Sequence, residues 1–254
     1  METRREERIV RLAQALKRTD KLHLKEAAQL LGVSEMTIRR DLGESASSVV
    51  LLGGYIVRDP RQQVAHYFVS DQQNLNVAKK QRLAQHAAAL VEANDIIFFD
   101  CGTTLPLVID AIDNELPFTA VCSAINTFLA LREKPRCRVI LSGGEFHPDN
   151  AVFTPLALES VLDSINPNKA FISAAGLDVL QGATCYNLNE LPVKQRALQR
   201  AQQKIVVGDS SKYGKVLPAR IGDFSLFDIL VSDSVPPPEL QRELERAGVS
   251  LHCD

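Results

Sequence analysis

The sequence predicts an α/β protein in two parts: a small N-terminal winged helix-turn-helix domain and a larger α/β domain on a largely parallel sheet. Three observations carry this. Two short segments of helical periodicity flank Gly32 and lead to a Gly53-Gly54 turn between β-rich runs. From Ile96 onward, short apolar runs alternate with helical patterns. Lys and Arg outnumber Asp and Glu ten to seven over residues 1–42, whereas the acids lead twenty-four to nineteen over the remainder. A basic head on an acidic body suits a head that meets a polyanion.

In the head, Ile9, Leu12, Ala13 and Leu16 are spaced for one helix face. Lys17–Leu22 is polar and breaks that pattern. A short helix follows over Lys25–Leu31, and Gly32 stands where a helix end takes the left-handed conformation. Ser34 is an N-cap for the next helix, Ser34–Leu42, and Gly43 closes it. Glu44–Ser48 is small and polar and reads as a loop. Val49–Leu52, Gly53-Gly54 and Tyr55–Val57 read as a hairpin in the wing position. The domains expected are residues 1–57 and 75–254, joined by a linker over 58–74.

The larger domain opens with a helix over Leu75–Val91. Strands are expected at Ile96–Phe99, Phe118–Val121, Val139–Leu141, Ala170–Ile172, Ile205–Val207 and Ile229–Val231. Helices are expected at Leu105–Ile112, Ala124–Arg132, Leu156–Ile165, Glu190–Gln202 and Glu239–Ala247. The composition narrows the function classes. No apolar run approaches the ~20 residues needed to span a bilayer, and the charged start, Met1–Arg8, lacks a signal-peptide core, so the expected location is the cytoplasm. The five cysteines form no C-x-x-C pair and the histidines are scattered, so reduced thiols and no metal are expected. The phosphate-binding patterns G-x-x-x-x-G-K-[ST] and G-x-G-x-x-G after a strand are missing, so no nucleotide cofactor is expected.

Lys25–Leu42 has the layout of helix, turn, helix. In such a unit the second helix enters the DNA major groove with its N-terminal residues at base edges. Ser34, Glu35 and Thr37 open that helix, where hydroxyls reach phosphate or base, and Arg39 and Arg40 suit phosphate or guanine. Ile38 and Leu42 are spaced to face the domain core. The run Leu31-Gly32-Val33-Ser34-Glu35-Met36-Thr37-Ile38-Arg39-Arg40-Asp41-Leu42 resembles the helix-turn-helix signature of the DeoR family of bacterial repressors.

In an open parallel sheet, ligands sit beyond the C-terminal strand ends. After Ile96–Phe99 comes Asp100-Cys101-Gly102-Thr103-Thr104, suited to an anion through Gly102 and the Thr103 and Thr104 hydroxyls. After Val139–Leu141 comes Ser142-Gly143-Gly144. After Ile205–Val207 comes Gly208–Gly214, where Asp209 suits sugar hydroxyls and Lys212 a phosphate or carbonyl. Glu190 and Lys194 share a helix face, which read alone is a surface ion pair. Cys101 has no histidine close in sequence, which argues against a nucleophile.

These pieces, with Asn187-Leu188-Asn189-Glu190 and Lys194, resemble the DeoR-family sensor domain. The resemblance implies a fold similar to ribose-5-phosphate isomerase and the CoA transferases and a phosphorylated sugar as effector. Many family members carry Gly and Asp where this chain has Ser173 and Ala175, so one ligand-contacting carboxylate is missing. Within the family, Met1–Arg8, Val50–Val57 and Ala183–Leu188 draw the likeness towards control of deoxyribonucleoside breakdown, with deoxyribose 5-phosphate as inducer. Double-stranded operator DNA and a homo-oligomer are the other expected partners, because such heads read two-fold sites as dimers. A sugar-phosphate isomerase is the competing reading. It would draw its base and cation from Asp100, Glu190, Asp209, Lys194 and Lys212. The DNA-reading head and the missing carboxylate count against it.

Overall fold

The computed structural model describes residues 2–16, 19, 21–43, 49–58, 75–156 and 160–254. The expected loop at Glu44–Ser48, the linker beyond Arg58 and part of the break after Leu16 lie outside the described residues. Two compact units emerge, Met1–His66 and Tyr67–Asp254.

The first unit holds α1 (Glu2–Ala15), β1 (Leu22–His23), α2 (Leu24–Leu31), α3 (Glu35–Gly43), β2 (Val49–Leu52) and β3 (Tyr55–Arg58). His23 caps α2 by accepting from the Lys25 amide, and the Glu26 carboxylate accepts from the His23 amide. Gly32 ends α2 at φ 66°, the left-handed conformation its position predicts. Gly53 and Gly54 are both left-handed, at φ 57° and 84°, as a two-residue hairpin turn requires. Strand β1 was not evident in the sequence; its two residues pair with Ile56 and Tyr55 of β3. Leu12, Leu16, Leu24, Ala27, Leu31, Ile38, Val49 and Ile56 form one small core, with Leu42 packed against it.

The second unit is built on β4 (Ile96–Phe99), β5 (Phe118–Cys122), β6 (Cys137–Leu141), β9 (Lys169–Ser173), β12 (Gln203–Val207), β14 (Ile229–Val231) and β15 (Ser250–His252). These seven strands make one parallel sheet in the order β15-β14-β12-β9-β4-β5-β6. Side chains alternate across it. Phe98, Val121, Ala170, Ile172, Val206 and Leu230 face one side and pack on α7 (Leu191–Arg200) and α8 (Pro238–Ala247). Ile97, Phe99, Ala120, Phe171, Ile205 and Val231 face the other, against α4 (Val77–Ala88), α5 (Leu105–Ala111) and α6 (Ile125–Leu131). Phe99 stacks on Phe171 with ring centroids 5.2 Å apart. With both faces covered, the strands read as continuous apolar runs.

The sequence placed no strands at β7 (Glu145–His147), β8 (Val152–Thr154), β10 (Gly176–Asp178), β11 (Gly182–Cys185) or β13 (Ala219–Gly222), which form two small antiparallel sheets. The helix expected over Leu156–Ile165 is, among the described residues, only a 3-10 turn at Val161–Ser164. Ser160 caps that turn and reverses the chain into β9. The strand order departs in both directions from β4 and β9, so the crevice beyond their C-terminal ends is the switch point of the sheet.

Candidate functional site

In the first unit the recognition helix α3 is fixed by its capping residue and by α1. The Ser34 hydroxyl accepts from the Thr37 amide at 3.2 Å and lies 2.9 Å from the Thr37 hydroxyl. Both hydroxyls therefore serve the helix start. Glu35, Met36, Arg39 and Arg40 are exposed, while Ile38 is buried. Met36 stands 75% exposed, so the opening turn also presents an apolar surface suited to a thymine methyl. On the opposite side, Asp41 is buried and accepts from Arg8 at 2.7 and 3.0 Å. Its main-chain carbonyl accepts from Arg5 at 3.0 and 2.8 Å. The hydrogen bond to Asp41 raises the Arg8 pKa.

In the second unit, a cleft opens at the switch point. Lys80, Cys101, Gly102, Thr103, Thr104, Ser173, Ala174, Ala175, Cys185, Tyr186, Glu190 and Lys212 line it. Its inner space is about 40 Å³, and about 450 Å³ with the open mouth. Gly102 turns the loop after β4 at φ 99°. Asn126 of α6 donates to the Gly102 carbonyl at 2.6 Å, and Thr127 donates to the Asp100 carbonyl at 2.9 Å. The loop is thus bolted in place before any ligand arrives.

The cationic end is made by two lysines on different elements. Lys80, in α4, donates to the Thr103 hydroxyl at 2.9 Å. Burial and the neighbouring charge of Lys212 push the Lys80 pKa down to about 8, against the pull of Asp209. Burial lowers the Lys212 pKa too, opposed by Asp209, with Lys215 adding to the fall. Asp209 is fully buried and accepts from the Ser211 amide at 2.9 Å. Its Oδ2 has no hydrogen-bond partner among the described residues and lies 4.0 Å from Lys212 Nζ. Asp209 is thus beside Lys212 and is not among the residues that line the cleft. Sequence reasoning missed Lys80, because Lys79-Lys80 in an amphipathic helix reads as solvated. The signal was its place in the first turn of the helix preceding β4.

Glu190 and Lys194 do not form a surface pair. Lys194 is completely buried and Glu190 is 5% exposed. Lys194 Nζ donates to Asp100 Oδ2 and lies 3.3 Å from Glu190 Oε2. Burial opposes its charge, but Asp100 and then Glu190 hold the Lys194 pKa well above its ordinary value. Burial likewise raises Glu190, yet Lys194 and the amides of Asn187 and Asn150 outweigh it and hold the carboxyl low. Of the three, Glu190 alone lines the cleft; Asp100 and Lys194 brace it from behind. Burial pushes the Cys101 thiol well up and the Cys185 thiol to about 12, so neither is an activated nucleophile.

Ser142, Gly143 and Gly144 do not line the cleft. They follow β6, the edge strand two positions from the switch point. Ser142 is buried and its amide donates to the Cys122 carbonyl. Gly144 turns the chain into β7 at φ 143°, where an added Cβ would stand 1.9 Å from the Thr154 carbonyl oxygen. This tripeptide is architecture. No group of side chains suited to a metal occurs among the described residues, and no described helix is long and apolar enough to cross a membrane.

Comparison with known proteins gives a match for each unit. The DeoR-like helix-turn-helix domain matches residues 8–61, and the DeoR C terminal sensor domain matches residues 75–234. The chain is 58% identical over 251 residues to the deoxyribose operon repressor of Escherichia coli (strain K12), covering 99% of each chain. It is 25% identical over 248 residues to the HTH-type transcriptional regulator GolR of Listeria innocua serovar 6a, covering 96% of this chain and 97% of that one. Among solved structures, ribose 5-phosphate isomerase A of Methanocaldococcus jannaschii aligns over 53% of each chain at 16% identity with a TM-score of 0.40. A DNA-reading head and a sensor domain in this order, matched along nearly the whole length of a repressor, place the chain in the DeoR family of transcriptional repressors.

Proposed function

We propose that this repressor controls genes of deoxyribonucleoside and deoxyribose breakdown, and that deoxyribose 5-phosphate releases it from operator DNA. The observation that carries the effector class is the convergence of Lys80 and Lys212 on the Thr103 loop. A buried ammonium beside a half-buried one is costly without a ligand, and a phosphate dianion neutralises both. Gly102, Thr103 and Thr104 complete the phosphate end, and Glu190 takes the sugar hydroxyls. Asp100, Lys194 and Asp209 hold those groups in position. The identity of the sugar rests on the 58% identical deoxyribose operon repressor. At the head, Ser34, Glu35, Thr37, Arg39 and Arg40 contact operator DNA, and a homo-oligomer working in the cytoplasm reads a two-fold site.

Induction follows from linkage. The sugar phosphate binds better to a conformer that holds DNA poorly, and DNA weakens the sugar by the same factor. The test is release of a labelled operator duplex by deoxyribose 5-phosphate. Thr103→Val with Thr104→Val leaves operator binding intact and prevents release. Release of DNA by that double variant at ordinary sugar concentrations would show that the phosphate binds elsewhere, and equal sugar affinity with and without operator would exclude the linked mechanism.

A further inference from the structure

We propose that the cleft selects a deoxysugar through an apolar wall made by Cys101, Ala174, Ala175 and Cys185. The inference rests on the sugar-phosphate reading above and asks what the space between its two polar ends can accept. Lys80, Lys212 and Thr103 supply the cationic lining of the cleft and Glu190 its carboxylate. A pentose phosphate reaching from one to the other lays its middle carbons on the wall between them.

That wall offers a ligand almost nothing to bond with. Ala174 and Ala175 present methyl groups, and their amides are already spent, on the carbonyls of Val207 and Thr184 at 3.0 and 2.9 Å. Ser173, beside them, donates to Asp100 Oδ2 at 3.0 Å and lies 3.4 Å from Lys194 Nζ, and the Tyr186 ring also lines the cleft. Cys185 is buried, with its thiol turned to the Asn187 carbonyl at 3.8 Å. Cys101 is buried with its sulfur 3.7 Å from Lys194 Nζ. A methylene against this surface loses no hydrogen bond on leaving water. A hydroxyl in its place gives up its water partners and meets methyl groups and thiols instead. An apolar wall rejects an added hydroxyl only modestly, by roughly 100-fold at most. Ala175 and Cys185 are thus the specificity-determining positions, and they sit on different segments, the turn between β9 and β10 and the end of β11.

The experiment titrates the full-length protein calorimetrically with 2-deoxyribose 5-phosphate, ribose 5-phosphate and inorganic phosphate. The parent chain is expected to prefer the deoxysugar by tens of fold. Ala175→Ser and Cys185→Ser each supply a hydroxyl partner, and each is expected to narrow that ratio at least fivefold, mainly by gaining affinity for ribose 5-phosphate. Loss of packing alone would weaken both sugars together and leave the ratio unmoved. A parent ratio within twofold of unity would overturn the proposal without any variant. So would an unchanged ratio in whichever variants retain a cooperative thermal transition. Failure of both sugars to bind while inorganic phosphate does would instead overturn the deoxyribose reading on which the proposal rests.

Discussion

Lys194 and Asp100 lie 94 positions apart in the chain, yet the ammonium of one donates to the carboxylate of the other with both sealed from solvent. Removing the cation strands two carboxylates, Asp100 and Glu190, in the interior. Lys194→Met is therefore expected to destabilise the sensor unit by roughly 3–5 kcal/mol at pH 7, measured by urea unfolding. The pH dependence distinguishes this from lost packing. In the parent, Glu190 is held below its ordinary 4.5, so its contribution is complete above that pH and is lost as pH falls through the lower folded value. Lys194 is held above its ordinary 10.5, so its contribution is complete below that pH and is lost as pH rises through the higher folded value. In Lys194→Met, the orphaned carboxylates take up protons, and the penalty is expected to shrink towards pH 5.

Lys80 behaves in the opposite sense. Its folded pKa of about 8 lies below its ordinary 10.5, so the cost of holding it charged is borne below pH 8 and relieved between there and 10.5. A phosphate needs that charge. Affinity for deoxyribose 5-phosphate is expected to fall as pH rises through 8 to 9, followed by calorimetric titration. Lys80→Met is expected to lose at least tenfold at pH 7 and to flatten the profile across that window. An equally steep fall in the variant would assign the titration to another group.

At the DNA-reading surface, Arg39→Ala and Arg40→Ala are each expected to weaken operator binding at least tenfold with sugar-phosphate affinity unchanged. A phosphate contact also lowers the slope of log K against log salt by about one, whereas a base contact relaxes sequence preference at one position. Anisotropy titrations at several salt concentrations separate the two.

Asp41 acts on the hidden side of the same helix. Asp41→Ala frees Arg8 and leaves a gap behind α3. The expected loss is roughly 1–3 kcal/mol from the head, seen as a lowered thermal transition, with weaker operator binding and unchanged sugar affinity.

Gly144→Ala tests the reassignment of the Ser142-Gly143-Gly144 turn. The added methyl collides with main chain at Thr154, so reduced stability is expected, with normal sugar affinity in the folded fraction. A selective loss of sugar binding at unchanged stability would return the turn to the effector site.

Six of the seven parallel strands and the helix-turn-helix were legible because burial on both faces, or on one helical stripe, leaves apolar periodicity in the sequence. Strand β15, Ser250–His252, was not legible, since a three-residue edge strand leaves no pattern. Strands β10 and β11 hide among glycines, alanines and threonines, and pair only because the turn at Gly182 brings them together. At the site, Gly102, Thr103 and Thr104 were placed by one strand end and its following helix, a local signal. Lys80 and the interior pairing of Lys194 depend on which strands are neighbours. Ser142–Gly144 were misplaced for the same reason: every strand end was treated as equivalent, although among the parallel strands the cleft is lined from the ends of β4, β9 and β12 and not from β6.

Asn76 donates to Ser211 at 3.0 Å and Lys79 to Ser210 at 2.9 Å, so the loop carrying Lys212 is moored to the first turn of α4. A guest that displaces Lys212 therefore works against two hydrogen bonds from α4 as well as against the loop's own geometry.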